Sequence, residues 1–298
     1  VTLLVDVGTN AEIVLGNSTR LLAASSPTGP AFEGAQITAG QRAAPGAIER
    51  VRIDPVTLAP RIKIIGVEDW SDDPTFTDKA APFGVTGICG SGIIEVVAEM
   101  FLAGIITADG VIRGDLPNAG DRIVPEGRTF SYVLWRGEQI HVVTQNDVRA
   151  IQLAKAALYA GVKLLMAKLG VDRVDRIKLA GAFGSYIEPK FAMVLGLIPD
   201  CDLSKVTAVG NAAGTGARMA LLNRGYRREI EALVQRIEKI ETALEPDFQR
   251  HFVAAMALPN KIDRFPSLER VVTLPERAGS GADEPGEGRR GRRRRREG

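Results

Sequence analysis

The sequence has few of the residues that build common metal and catalytic centres. Its 298 residues include two cysteines, Cys89 and Cys201, and two histidines, His141 and His251. Two cysteines far apart in the chain cannot form a disulfide framework, and they suit a reducing, cytoplasmic compartment. The histidines have no partners at the spacing of a metal site or of a Ser-His-Asp triad. Zinc and serine-hydrolase chemistry therefore have no support in the sequence.

Other signals are also scarce or missing. Aromatic residues make up only 5% of the chain while glycine occurs 32 times, which favours an α/β protein with tight turns over a β-sandwich. No Walker A pattern occurs, which argues against a P-loop ATPase. We expect no signal peptide, and the longest apolar region, residues 88–106, contains Glu95 and Glu99. We therefore expect no membrane partner.

Positive charge is concentrated at one end of the chain. The net charge is +2, but the last ten residues carry seven Arg and one Glu, so the rest of the chain carries −4. That body shows no nucleic-acid surface. Residues 278–298 are rich in Gly, Glu and Arg and are predicted to form a disordered tail, which leaves residues 1–277 as one domain. Because the sequence lacks an initiator Met and begins within a predicted strand, we expect it to be part of a longer protein.

The opening segment combines a carboxylate with a polar turn. An apolar run reaches Asp6, breaks at Gly8-Thr9-Asn10 and resumes at Ala11. This pattern predicts a β-hairpin whose turn presents N–H groups and short polar side chains to a phosphate. Asp6 would then face Mg²⁺ directly or through water, and would be the candidate catalytic residue. The alternative is an ordinary hairpin turn with a solvated Asp.

Strands alternate with helices in the second half, which predicts a mixed sheet flanked by helices. Hairpins are predicted within residues 50–66 and 130–143. Predicted strands include Ile177–Ala180 and Val206–Val209, and predicted helices are Ile93–Phe101 (capped by Ser91), Asn146–Leu169 (capped by Thr144, ended by Gly170), Pro189–Leu195, a helix ending at Leu222, Arg227–Glu241 and Glu245–Ala255.

Four glycine-rich turns lie at predicted strand ends or helix starts. They are Gly8-Thr9-Asn10, Gly90-Ser91-Gly92, Gly181-Ala182-Phe183-Gly184 and residues 210–216. Ligands of open α/β sheets bind where such loops converge, and glycine lets the backbone approach a phosphate or purine closely. The four turns together predict a nucleotide site, although each alone could be an ordinary turn.

The long helix offers a second set of candidate contacts. Arg149, Gln152 and Lys155 are spaced along roughly one face. Amide and cationic side chains placed there could bond to an adenine or a ribose. The alternative is a solvated polar stripe.

Several of these motifs resemble one superfamily. Residues 6–12 resemble a phosphate-binding hairpin of the actin, sugar-kinase and heat-shock-chaperone ATPases, and residues 179–184 resemble their adenosine motif. Residues 211–217 resemble the helix that follows it. The resemblance implies an α/β, actin-like (ribonuclease H-like) lobe with hairpin insertions, and ATP and Mg²⁺ as cofactors. It also implies phosphate contacts at Gly8, Thr9 and Asn10 and adenosine contacts at Gly181, Ala182, Phe183 and Gly184, with Gln152 and Lys155 near the base or ribose.

A narrower resemblance covers residues 1–274. The runs 25–34, 41–49, 87–92 and 145–149 look like the reductive activators of corrinoid proteins, although Ala11 stands where that family often has Gly. The family implies ATP-dependent reduction of Co(II) to Co(I) in the corrinoid protein of a methyltransferase system. It also implies that this chain is the C-terminal part of the protein, with a [2Fe–2S] cluster and a second phosphate loop in a region upstream of it. The resemblance leaves a homodimer open.

Two alternatives use the same scaffold. One is a small-molecule kinase in which Asp6 or Glu33 is the general base. The other is a non-enzymatic scaffold that binds a corrinoid protein and has lost nucleotide binding.

Overall fold

The computed structural model describes residues 1–181 and 184–275. The predicted tail, residues 278–298, lies outside the described residues. The described strands are β1 (Thr2–Asp6), β2 (Ala11–Gly16), β3 (Leu21–Ser26), β4 (Ala47–Ile53), β5 (Pro60–Ile64), β6 (Gly87–Ile88), β7 (Ile123–Glu126), β8 (Thr129–Arg136), β9 (Ile140–Val143), β10 (Arg176–Ala180), β11 (Val206–Gly210) and β12 (Ile237–Lys239). The described helices are α1 (Phe76–Ala80), α2 (Gly90–Leu102), α3 (Gln145–Leu169), α4 (Pro189–Leu195), α5 (Ala212–Leu222), α6 (Arg224–Val234), α7 (Phe248–Ala255) and α8 (Pro266–Glu269).

A six-stranded mixed sheet forms the centre of the fold, as the sequence predicts. Its strand order is β11-β10-β1-β2-β3-β12. The β1–β2 and β2–β3 pairs are antiparallel, whereas β1–β10, β10–β11 and β3–β12 are parallel. Asp6, at the end of β1, lies opposite Glu12 in β2 and beside Ala180 in β10. The carboxyl ends of β1, β10 and β11 therefore meet at one edge of the sheet.

Helix α3 covers one face of this sheet. It contacts β2 and β3, and alternate strand residues such as Ile13 and Leu22 are fully buried. Thr144 and Asp147 form the expected capping box, and Gly170 ends the helix in the left-handed conformation. By length and composition, α3 is the one helix in the described chain that could cross a membrane, but 78% of its most apolar 18-residue stretch is buried in the protein. That burial is typical of the core helix of a soluble domain.

A second packing unit combines the β5-β4-β6 sheet with α2, and the predicted hairpin within 130–143 belongs to a separate β7-β8-β9 sheet. Helix α2 is buried on all sides from Gly90 to Phe101. Ser91 does not cap this helix, so that prediction is wrong. The N-cap is Cys89 in extended conformation, because the Cys89 N–H donates to Ile48 O in β4 (3.0 Å) and holds the helix start against that strand.

The C-terminal segments differ from the prediction in two places. The helix predicted to reach Glu241 ends at Val234, and the chain then forms β12 beside β3. Strand pairing satisfies the backbone there, and Glu238 forms an ion pair with Arg20 (2.8 Å). Helix α7 begins at Phe248 because Pro246 disfavours helical backbone in the residue before it.

Helices α5 and α6 lie at the periphery. They contact each other, and neither contains a buried residue. Apolar side chains on α6, including Tyr226, Ile230 and Leu233, are exposed.

Candidate functional site

Three of the four glycine-rich turns meet at the carboxyl edge of the central sheet. The Val7 N–H donates to Ala180 O (3.3 Å), and the Gly181 N–H donates to Gly210 O (3.0 Å). The turns after β1, β10 and β11 are therefore joined by backbone hydrogen bonds. The predicted convergence holds for these three turns, which parallel pairing brings to one edge.

Asp6 and Gly181 pack against each other at this edge. Gly181 has φ +92°, a conformation that side chains disfavour, and a Cβ built on it would lie 2.5 Å from Asp6 Oδ1. Glycine is therefore required for the carboxylate to lie against this turn. Partial burial raises the pKa of Asp6 above its ordinary value of 3.8. A desolvated carboxylate beside polar turns can serve as a ligand to a divalent cation or to its water.

The turn between β1 and β2 is fixed by a loop that follows β3. The Thr28 hydroxyl donates to Gly8 O (2.7 Å) and is shared with Thr9 O (3.0 Å). The Gly29 N–H also donates to Thr9 O (2.9 Å). Because these contacts hold two carbonyls of the turn from one side, they fix the orientation of its peptide groups. Thr9 and Asn10 themselves are exposed, as a ligand-binding turn requires.

Glu33 reaches the same turn. The Thr9 hydroxyl donates to Glu33 Oε1 (2.6 Å). Glu33 ends a short 3₁₀ turn, Pro30–Glu33, in which Ala31 and Phe32 are buried. The buried pair fixes the position from which the carboxylate extends.

The fourth glycine-rich turn, at Gly90-Ser91-Gly92, lies elsewhere. A Cβ on Gly92 would lie 2.3 Å from Ile48 O, so this glycine allows α2 to pack directly on β4. The prediction that all four turns share one site is therefore wrong for this turn, which serves the core.

Gln152 and Lys155 do not face the converging turns. Both side chains are fully buried. Gln152 Nε2 donates to Asp109 O (3.0 Å) and Met256 O (2.7 Å), and Lys155 Nζ donates to Pro259 O (2.8 Å). The structure contradicts the prediction of base or ribose contacts, because backbone carbonyls take up these donors. Burial also lowers the pKa of Lys155 well below 10.5.

The adenosine-type turn is described in part. Gly181 lies against Asp6, and Gly184 begins a 3₁₀ turn, Gly184–Tyr186. Ala182 and Phe183 lie outside the described residues. In the described part of the chain, no cluster of three or more His, Cys, Asp or Glu side chains could hold a metal by itself. A cation at Asp6 would therefore need ligands beyond such a cluster, for which phosphate oxygens are suited.

A buried ion-pair network supports the segment after Gly184. The Glu95 side chain, 1% exposed, accepts from Arg50 (2.6 Å) and Arg52 (2.6 Å). Arg50 also donates to Tyr186 O (3.1 Å), and Arg52 also pairs with Glu188 (2.8 Å). The network ties this segment to β4. Sequence reasoning missed it, although Glu95 within an apolar run signals a buried carboxylate that needs partners.

Sequence reasoning also missed Thr28. The signal was present in the Pro27-Thr28-Gly29-Pro30 segment, since a hydroxyl between turn-forming residues is well placed to bond a neighbouring backbone.

Comparison with known proteins shows the family to which the chain belongs. A family model described as the C-terminal domain of RACo, the ASKHA domain, matches residues 1–269. The chain belongs to this family. The match confirms the resemblance seen in the sequence and the actin-like α/β fold with hairpin insertions.

Relatives of this ASKHA domain carry corrinoid-related names. A corrinoid activation enzyme of Eubacterium limosum, RamQ, is 36% identical over 258 residues, which are 83% of this chain and 41% of that protein. A [Co(II) methylated amine-specific corrinoid protein] reductase of Methanosarcina barkeri is 28% identical over 245 residues, 79% of this chain and 42% of that protein. The chain thus spans about two fifths of the length of these relatives.

A solved structure supports the same assignment. A reductive activator for corrinoid, iron-sulfur protein superposes with a TM-score of 0.75 at 36% identity, covering 87% of this chain and 40% of that one. Both the sequence and the fold of the ASKHA domain are therefore similar to a corrinoid activator.

Proposed function

We propose that this ASKHA domain binds ATP with Mg²⁺, and that the intact protein uses the nucleotide to drive the reduction of a corrinoid protein from Co(II) to Co(I). The observation that carries the proposal is the meeting of three turns around Asp6 at the carboxyl edge of the sheet. The family supports it, since two relatives and one structural neighbour are named for corrinoid activation or reduction.

The phosphate contacts are assigned to the β1–β2 turn. Gly8, Thr9 and Asn10 would donate backbone N–H groups to phosphate oxygens, and Asn10 could add its side-chain amide, because Thr28 and Gly29 hold the carbonyls of Gly8 and Thr9 on the other side. Asp6 would hold Mg²⁺ directly or through water. When bound, the cation supplies charge neutralisation at the phosphates.

The adenosine contacts are assigned to the turn after β10. Gly181 and Gly184 would allow the purine or ribose to approach the backbone, together with Ala182 and Phe183. Gln152 and Lys155 have no part in this assignment, because both are buried and bonded to carbonyls.

The remaining parts of the reaction are placed outside this chain. Reduction of Co(II) to Co(I) needs one electron, and Cys89 and Cys201 cannot supply the four thiolates of a plant-type [2Fe–2S] centre. We place that centre and a second phosphate loop in further regions of the intact protein. The corrinoid protein of a methyltransferase system would be the partner, in the cytoplasm, and the activator is proposed to act as a homodimer.

The test is calorimetric titration of the intact protein with ATP and MgCl₂. Asp6→Asn removes the carboxylate charge and should weaken ATP–Mg²⁺ binding by roughly tenfold or more. Asp78→Asn, on the exposed face of α1, removes an equal charge and should leave affinity unchanged.

Three results would contradict the proposal. Equal affinities of the wild type and Asp6→Asn would remove the role of Asp6. A phosphorylated small molecule formed from ATP would favour a kinase, and absence of any nucleotide binding would favour a non-enzymatic corrinoid-binding scaffold.

A further inference from the structure

The loop that carries Glu33 is firmly attached to the β1–β2 turn. Thr28 and Gly29 make three hydrogen bonds to the carbonyls of Gly8 and Thr9. Phe32 anchors the 3₁₀ turn in the core, with its side chain fully buried. Glu33 therefore belongs to the frame of the turn and is not a mobile surface carboxylate that meets Thr9 by chance.

The Thr9–Glu33 hydrogen bond restricts what Thr9 can offer a ligand. A threonine hydroxyl has one hydrogen to donate and two lone pairs to accept with. Thr9 Oγ1 donates this hydrogen to Glu33 Oε1, and the two oxygens are 2.6 Å apart. Only the lone pairs of Thr9 Oγ1 therefore remain for another partner. Lone pairs suit a cation and repel a bare phosphate oxygen.

The charge of Glu33 also favours a cation over a metal-free phosphate at this turn. Any phosphate held by the Thr9 turn lies within a few ångströms of the Glu33 carboxylate, and charges at that separation interact appreciably even near a protein surface. Asp6, at the end of β1 directly before this turn, adds a second carboxylate. A nucleotide without a metal would bring further negative charge to both, whereas a divalent cation would compensate them.

Resting on the proposed nucleotide function, we infer that Glu33 is a positioning residue that sets the metal requirement of the phosphate turn. It orients the Thr9 hydroxyl toward a cation and disfavours the metal-free nucleotide. Glu33 acts through Thr9 and through its charge, and the proposal requires no contact between Glu33 and the nucleotide.

The experiment compares ATP affinities of the intact protein in excess MgCl₂ and in EDTA. The measured quantity is the ratio of the Kd in EDTA to the Kd in MgCl₂. Glu33→Gln keeps an oxygen that can accept from Thr9 but removes the charge, so the ratio should fall roughly tenfold, mainly through tighter binding in EDTA. Glu68→Gln, which removes an exposed carboxylate paired with Lys63, is the matched control and should keep the wild-type ratio.

The outcomes separate this inference from the function on which it rests. A wild type that binds ATP–Mg²⁺, with the same ratio in Glu33→Gln, would overturn the role of Glu33 and leave the proposed function intact. A wild type that binds ATP in neither condition would overturn the proposed function itself. A merely structural Glu33 would alter both affinities by the same factor and leave the ratio unchanged, which also counts against the inference.

Discussion

Gly92 and Gly181 lie in turns that look alike in the sequence but do different work in the fold. At both positions a Cβ would collide with a neighbour, at 2.3 Å for Gly92 and 2.5 Å for Gly181. The neighbour of Gly92 is a carbonyl of β4 inside the core, whereas the neighbour of Gly181 is the carboxylate of Asp6 at the sheet edge. Each glycine therefore marks a place where another group lies too close for a side chain. The chemical nature of that neighbouring group distinguishes a glycine needed for core packing from one needed at a binding site.

The largest expected effect tests the packing side of this comparison. Gly92→Ala would force α2 away from Ile48 O and should lower the free energy of unfolding by about 3 kcal/mol, as overpacking of a core does. Urea denaturation measures the loss. Gly216→Ala, in a helix with open space around the glycine, is the control and should be neutral or slightly stabilising. A Gly92→Ala variant as stable as the wild type would contradict the packing role.

Gly181→Ala tests the binding side. Its strained φ and the contact with Asp6 should cost about 2 kcal/mol of stability. Because the added methyl displaces the Asp6 carboxylate, ATP–Mg²⁺ affinity should fall by roughly tenfold or more. Gly92→Ala, titrated where it is folded, should bind normally. Equal affinities of the two variants would erase the distinction between the turns.

Lys155→Met extends the comparison to the buried polar face of α3. The substitution leaves Pro259 O without its donor and should lower stability by about 1–2 kcal/mol, with unchanged ATP affinity. Burial lowers the pKa of Lys155 below 10.5, so the unfolded chain binds the proton more readily and wild-type stability rises with pH toward 10.5. Thermal unfolding across that range should show a smaller rise in the variant. A loss of ATP affinity with stability unchanged would restore the rejected ligand role.

Asp6→Asn should give the smallest change in stability. Burial raises the pKa of Asp6, so the folded protein binds the proton more tightly than the unfolded chain does. The ionised carboxylate therefore slightly destabilises the fold at neutral pH, and Asn should add a few tenths of a kcal/mol there. The gain should vanish as the pH falls below 3.8, the ordinary pKa. A variant less stable than the wild type at pH 7 would show that the charge supports the fold.

Local rules predicted most of the sheet and its turns. The β1–β2 hairpin, the Thr144–Asp147 capping box and the strand predicted at Ile177–Ala180 follow from periodicity and turn chemistry, and the structure confirms them, the strand beginning one residue earlier. Their determinants lie within a few residues of one another. The convergence of three of the four glycine-rich turns also follows from the sequence, because alternating strands and helices predict a parallel sheet, although the paired strands β1 and β10 are far apart in the chain.

Long-range contacts explain the failures. The spacing of Gln152 and Lys155 places them on one side of a helix, but the segment that buries them lies about a hundred residues later. The pairing of β12 with β3 spans a still longer separation and overrides the helical pattern of residues 227–241. Thr28 and Glu33 likewise act on a turn some twenty residues earlier. The roles assigned to Asp6, Gly8, Thr9, Asn10, Gly181 and Gly184 stay predictions.

The peripheral helices α5 and α6 have a thermodynamic consequence for the site. Because they contact each other and bury no side chain, little free energy opposes their local unfolding, and their amides should exchange with solvent sooner than those of the sheet. Helix α5 begins one residue after Asn211, directly beyond the Gly210 carbonyl that holds Gly181. One wall of the candidate site thus leads into two helices without a buried residue, and the entropy lost on ordering them would count against the affinity of a ligand bound there.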